Sequence, residues 1–181
     1  MADLAPPSPF FVHQLDRIRA AARLGCVIDL ACGRGRHSVP TAEAGVPVIG
    51  IDRDAVRLHE LFETASTRDL EITTLRADLE APSRIPIADG SCGAVLVFRY
   101  LHRALSGSIV RALAPGGLLV YETFTTRQRE LGHGPRRPEF LLQPGELPQI
   151  FAELEILEHW EGISSAPQPE AIARLAARRR R

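Results

Sequence analysis

The chain has no lysine and no asparagine; all 22 of its basic residues are arginine. Schiff-base and lysine general-base chemistry are therefore closed to it. The formal net charge is zero, so no long-range field gathers nucleic acid or an anionic membrane. Cysteine is sparse: Cys26, Cys32 and Cys92 show no metal-like spacing. An odd count without a leader sequence points to a reducing, cytoplasmic setting. Met1 to Pro9 lacks the basic and apolar regions of a signal peptide. No run approaches the roughly 18 apolar residues of a membrane span, so no membrane partner is expected. No set of acids or histidines has ligand spacing, so no metal is expected.

What is present fits one domain over residues 1–181. Residues 1–9 read as a flexible arm. Phe11, Leu15, Ile18 and Ala22 share one face of a helix from Phe10 to Leu24, which Gly25 ends. Cys26–Leu30 reads as a first strand, Arg36–Ala44 as a helix, and Val46–Ile51 as a second strand. Asp54 is placed to cap a helix carrying Leu58, Leu61, Phe62 and Ala65 at helical spacing. Ile72–Leu75 makes a third strand, followed by a loop through Pro82 and Pro86. Ala94–Phe98 is a wholly apolar fourth strand. A helix carrying Ile109, Val110 and Leu113 stops before Pro115-Gly116-Gly117, and Leu118–Phe124 is the fifth strand. Residues 126–138, rich in arginine, glycine and proline, read as a surface loop. A short helix over Pro144–Phe151 and a sixth strand over Leu154–Trp160 follow. Ala171–Ala177 reads as either a strand or a helix, and the basic tail 178–181 as a fraying end. Strands alternating with helices imply a parallel sheet.

The chemistry sits at the strand ends. Asp29-Leu30-Ala31-Cys32-Gly33-Arg34-Gly35 is an apolar strand, an acid and a Gly-x-Gly loop that opens a helix. Val48-Ile49-Gly50-Ile51-Asp52 is a second apolar run ending in an acid, placed to accept from ribose hydroxyls. Either a dinucleotide or S-adenosylmethionine fits such a cradle. The dinucleotide fingerprint wants a third small residue where Ser38 stands. It also needs the loop N–H groups for a pyrophosphate.

Taken with Asp78-Leu79 and Pro115-Gly116-Gly117 in the same order, these motifs make the chain resemble the class I S-adenosylmethionine-dependent methyltransferases. The resemblance covers roughly Phe10 to Trp160. It implies a Rossmann-like α/β fold: a seven-stranded, mostly parallel sheet with the last strand antiparallel and helices on both faces. The implied cofactor is S-adenosyl-L-methionine. Gly33 and Gly35 would admit its methionine end and Asp29 would orient it. Asp52 would bind the ribose, Asp78 and Leu79 the adenine edge, and Phe98 to Tyr100, at the end of the fourth strand, would lie beside the sulfonium and the reacting methyl. Asp52 as a helix cap, Asp78 as a loop residue and Asp29 as a loop brace are the structural alternatives.

The transfer step asks mainly for alignment. His102 is the candidate base and Tyr100 the candidate substrate contact; His37 lies near the methionine end or faces solvent. Phe98-Arg99-Tyr100-Leu101 replaces the signature of nucleobase amine methylation, so no nucleic-acid partner is expected. Tyr121-Glu122-Thr123-Phe124 and Phe140 to Leu147 are loosely similar to the small bacterial tellurite-resistance-type methyltransferases. That likeness implies a small-molecule acceptor, with soft or anionic nucleophiles among the candidates. Arg136 and Arg137, with Arg127 and Arg129 in the same loop, would clamp an anion. Phe10, Phe11 and Phe124 would wall its pocket. Competing readings are a non-catalytic S-adenosylmethionine-binding module, an NAD-dependent oxidoreductase and a small RNA methyltransferase. The oligomeric state is left open.

Overall fold

Apolar runs that alternate between two buried faces become the centre of a sheet. Along Cys92–Phe98 every residue is buried. Val95 and Val97 face one hydrophobic cluster, while Ala94, Leu96 and Phe98 face another. The same period of two sends Leu119 and Tyr121 to the first cluster and Leu118 and Val120 to the second.

The computed structural model describes residues 4–81, 83–165 and 168–181. Pro82 and the first three residues of the expected arm lie outside them. The strands are β1 (Cys26–Leu30), β2 (Val48–Asp52), β3 (Ile72–Arg76), β4 (Cys92–Phe98), β5 (Leu113–Phe124), β6 (Glu155–Ser164) and β7 (Glu170–Arg178). They form one seven-stranded sheet in the order β3-β2-β1-β4-β5-β7-β6. The first five pair in parallel, and β7 runs antiparallel to both β5 and β6. Helices α1 (Pro9–Ala21), α2 (Ser38–Glu43), α3 (Ala55–Thr67), α4 (Ser106–Ala112) and α5 (Glu146–Ile150) pack around it. Residues of α1 and α2 join one cluster and those of α4 and α5 the other, so both faces are covered. Among the described residues, no helix is long and apolar enough to cross a membrane.

Several sequence expectations change here. Ala171–Ala177 resolves as a strand, because β5 and β6 need a partner between them. β5 starts five residues early, so Leu113 leaves the expected helix and pairs with Cys92. Residues 4–8 are not a loose arm. Ser8 is 1% exposed, caps α1 by accepting from the Phe10 N–H, and donates to the Glu122 carboxylate. The tail does not fray through Arg179: its N–H donates to the Gly117 carbonyl and its carbonyl accepts from Gly116. The loop 126–138 opens with a 3-10 helix at Thr126–Leu131 and buries Gln128, whose side chain accepts from the Ala171 N–H.

Candidate active site

Each of the five parallel strands ends on a residue, or next to one, that faces a cleft. The cleft has two chambers. The first, about 390 Å³, is lined by Ala31, Asp52, Ala77, Asp78, Arg99 and Phe124, with other residues around them. The second, about 530 Å³, is lined by Asp29, Gly33, Arg36, His37 and Phe98, together with Leu4 and Ala5. Ala31, Arg57 and Arg99 belong to both. Ala31 and Arg99 follow β1 and β4, where the strand order reverses, which is where open α/β sheets bind ligands. Both residues hold φ near +55°, a conformation costly for side-chain-bearing residues and concentrated at functional sites. Chambers of this size fall in the range of small-molecule sites.

The Gly loop is built to be approached. Gly33 has φ +56° and no heavy atom within 4 Å of where a Cβ would sit. Its N–H donates to Asp52 at 2.8 Å, so the acid ending β2 also holds the loop. The other oxygen of Asp52 accepts from the Asp54 N–H at 2.9 Å. Asp54, not Asp52, caps α3. Each carboxylate oxygen has a second acceptor site free for hydroxyl groups. Gly35 does a different job from the one expected. It lines neither chamber, and an added Cβ would collide with Leu61 of α3.

Asp29 is 2% exposed and accepts from Ser38 Oγ at 2.6 Å. Burial pushes its pKa up to about 7, against the pull of the Ser38 hydrogen bonds. Ser38 therefore occupies the third small position of the loop as a partner for Asp29. His37 is buried and stacked on Phe98, with ring centroids 3.8 Å apart. Its Nε2 accepts from the Ser8 N–H at 3.2 Å. Burial, then the charges of Arg36 and Arg99, lower its pKa to about 3. It is a neutral chamber wall, not a solvent-facing residue. Arg36 donates to the Pro6 carbonyl at 2.6 Å and, among the described residues, forms no ion pair; burial and Arg99 lower its pKa. A guanidinium with no contact ion pair among the described residues therefore borders the second chamber, with Glu122 and Glu170 as its charge support.

Asp78 and Leu79 line the first chamber, and Asp78 also accepts from the Glu80 N–H. Tyr100 lines it too. Its hydroxyl is buried and, among the described residues, has no hydrogen-bond partner. An unpaired buried hydroxyl costs about 1–3 kcal/mol, so this atom calls for a ligand acceptor. Burial, then Glu80, raises the Tyr100 pKa, so it stays a protonated donor.

The structure does not bring the remaining candidates together. His102 lies outside the cleft lining, 2.8 Å from Ser83 Oγ, because it turns toward that loop ahead of a short 3-10 helix at Arg103–Leu105. Phe10 and Phe11 are core residues between α1 and the sheet, so they are not pocket walls. Phe124 does line the first chamber, joined by Pro135 and Phe140. Arg136 donates to the Gly132 carbonyl and Arg137 pairs with Glu139 at 3.9 Å; neither is in the lining. The cations that are in the lining are Arg53, Arg57 and Arg99, and of these Arg99 directly follows β4. It lies 5.6 Å over the Phe124 ring and 2.6 Å from Glu170. Arg99 lies within the Phe98 to Tyr100 segment expected beside the sulfonium, as the first residue past β4, though no charge role was expected of it.

The residues fit S-adenosylmethionine. An open Gly33, a carboxylate at the end of β2 and, among the described residues, an unpartnered hydroxyl share one cleft, with Arg36 bordering its second chamber. A family model described as a methyltransferase domain matches residues 27–117. Uncharacterized proteins of Mycobacterium tuberculosis and Mycobacterium bovis are 30% identical over 124 residues, 64% of this chain. That match spans 42% of those relatives' length. TehB of Haemophilus influenzae superposes with a TM-score of 0.73 at 20% identity, over 91% of this chain and 62% of its own. A SAM-dependent methyltransferase of Methanosarcina mazei gives 0.73 at 15% identity, over 97% and 99%. The [4+2]-cyclase SpnF gives 0.72 at 17% identity, over 93% and 80%.

Proposed function

The chain belongs to the methyltransferase domain family, and from that premise we propose that it transfers a methyl group from S-adenosylmethionine to a small anionic acceptor. The observation that carries this reading is the pairing of Asp52 and the open Gly33 at one wall of a two-chambered cleft. When bound, the sulfonium supplies an already activated methyl group.

The chain's residues then have distinct tasks. Asp52 holds the ribose hydroxyls while its other contacts keep the Gly loop in place. Asp78 and Leu79 meet the adenine edge. Asp29 faces the ammonium and Arg36 the carboxylate of the methionine end, a pairing of opposite charges at each group. Phe98, backed by His37, forms a dry wall beside the sulfur. The acceptor enters against Phe124, Pro135 and Phe140. Arg99 supplies the positive charge that Arg136 and Arg137 were expected to supply. Tyr100 donates to an acceptor oxygen and positions it, because a tyrosine held protonated by burial is no base. With His102 outside the cleft, the acceptor is one that is already deprotonated at neutral pH. Small carboxylates meet that condition, as do thiols whose pKa lies below about 7, and both belong in an acceptor screen.

Isothermal titration with S-adenosylmethionine, S-adenosylhomocysteine and NAD in parallel tests the cofactor. Binding of the two adenosyl ligands without NAD is expected. Binding of NAD alone overturns the reading. Tight cofactor binding with no turnover across the screen would favour a non-catalytic role.

A further inference from the structure

At the end of the sheet opposite the cleft, β1 and β4 each begin with a cysteine. Cys26 and Cys92 are register partners, and their sulfurs are 3.7 Å apart. Both are free thiols. Neighbouring strands lie about 4.8 Å apart, within the roughly 4.4–6.8 Å that a disulfide spans between Cα atoms. The ladder is irregular at this point, skipping Gly93 between Cys92 and Ala94. Backbone that is already out of regular pairing can absorb the small approach that bonding requires.

Access is unequal. Cys26 is half-buried and opens onto a groove of about 620 Å³, which Pro47, Val48, Leu70 and Ile72 also line. Cys92 is 0% exposed and lies behind it. A solute reaches the second sulfur only past the first.

We propose that Cys26 and Cys92 form a modification site, a dithiol that a hydroperoxide converts to an intramolecular disulfide. Cys26 sulfur attacks the peroxide: an S–O bond forms, the O–O bond breaks, and the alcohol or water leaves. Cys92 sulfur then attacks Cys26 sulfur. The S–S bond forms, the S–O bond breaks, and hydroxide leaves as water with the Cys92 proton. Two electrons pass from the two sulfurs to the peroxide. The order follows from access. It also agrees with burial pushing the Cys92 thiol up to about 12, which leaves it a poor first nucleophile. The pair lies about 13 Å, the length of β1, from the cleft end of that strand. Cys32 is the internal control, since it sits beyond the far end of β1 in the Gly loop.

The test is a thiol count on the full chain treated with excess hydrogen peroxide, then denatured. A fall from three titratable thiols to one, reversed by a reductant, is expected. Trypsin leaves Cys26 and Cys32 in one peptide, so a second cut before Asp29 is needed to assign the bond. In Cys92→Ser, Cys26 should accumulate a sulfenic acid that dimedone traps. In Cys26→Ser, Cys92 should stay unmodified. Three thiols persisting in the wild-type chain, or a bond that uses Cys32 or joins two molecules, overturns the proposal. The wild-type count stands even if a variant fails to fold.

Discussion

At the scale of single residues, Asp52 and Asp29 carry the most exposed predictions. If Asp52 holds the ribose as proposed, Asp52→Ala removes charge-assisted hydrogen bonds and should weaken cofactor binding by about 2–3 kcal/mol. Calorimetry checks this, and unchanged affinity would sink the ribose assignment. In the proposed role, Asp29, whose pKa burial raises to about 7, must be ionised to face an ammonium. Cofactor affinity should therefore fall as pH drops from 8 to 6, with proton release on binding. In Asp29→Asn that pH dependence should vanish along with some of the affinity. Asp52 was legible in the sequence because an apolar run ending in an acid is a local pattern. Arg36 was not, and Arg99 was marked only by its place after the fourth strand. Their roles depend on which charges surround them, and charge neighbours are set by tertiary packing. His102 misled for the same reason: two residues past a strand, a side chain can point to the cleft or to the Ser83 loop with equal sequence support.

At the scale of elements, α1 is tied to the sheet by its cap. Ser8 accepts from the Phe10 N–H and donates to Glu122, which also accepts from Arg174 at 2.8 Å. Loss of a serine cap costs about 1 kcal/mol, and the lost Glu122 bond adds to it. Ser8→Ala should therefore destabilise the chain by about 2 kcal/mol in urea unfolding. Ser8→Asp should be worse than alanine, although aspartate is normally a good cap, because it sets a second carboxylate against Glu122. If aspartate instead equals serine, the Glu122 contact carries no weight. Helix and strand identities were readable from period and turn residues, but several ends were not. β5 reached back to Leu113 because Cys92 offered it a partner, and a partner strand is invisible to a local window.

At the scale of the whole molecule, stability should respond to acid through His37. Its folded pKa, about 3, lies below its usual 6.5. The unfolded chain therefore takes up a proton first, and this stabilisation, full above pH 6.5, drains away as pH falls toward 3. Asp29 acts in the opposite sense: its raised pKa favours the fold at low pH, and that contribution is lost as pH rises from 3.8 through 7. Replacing His37 with phenylalanine should remove the acid-sensitive part, seen as a flatter melting temperature between pH 6.5 and 4.5. An unchanged slope would assign the sensitivity elsewhere. The mostly parallel sheet followed from the alternation of strands and helices, and its antiparallel last strand from the family resemblance; the strand order did not. The antiparallel β7 has one further consequence. It carries the chain end to Gly116 and Gly117, near the start of β5, while residues 4–8 run along the cofactor chamber. Immobilisation through a side chain at Arg179 would leave the cleft facing bulk solvent, whereas immobilisation at Leu4 would crowd its mouth.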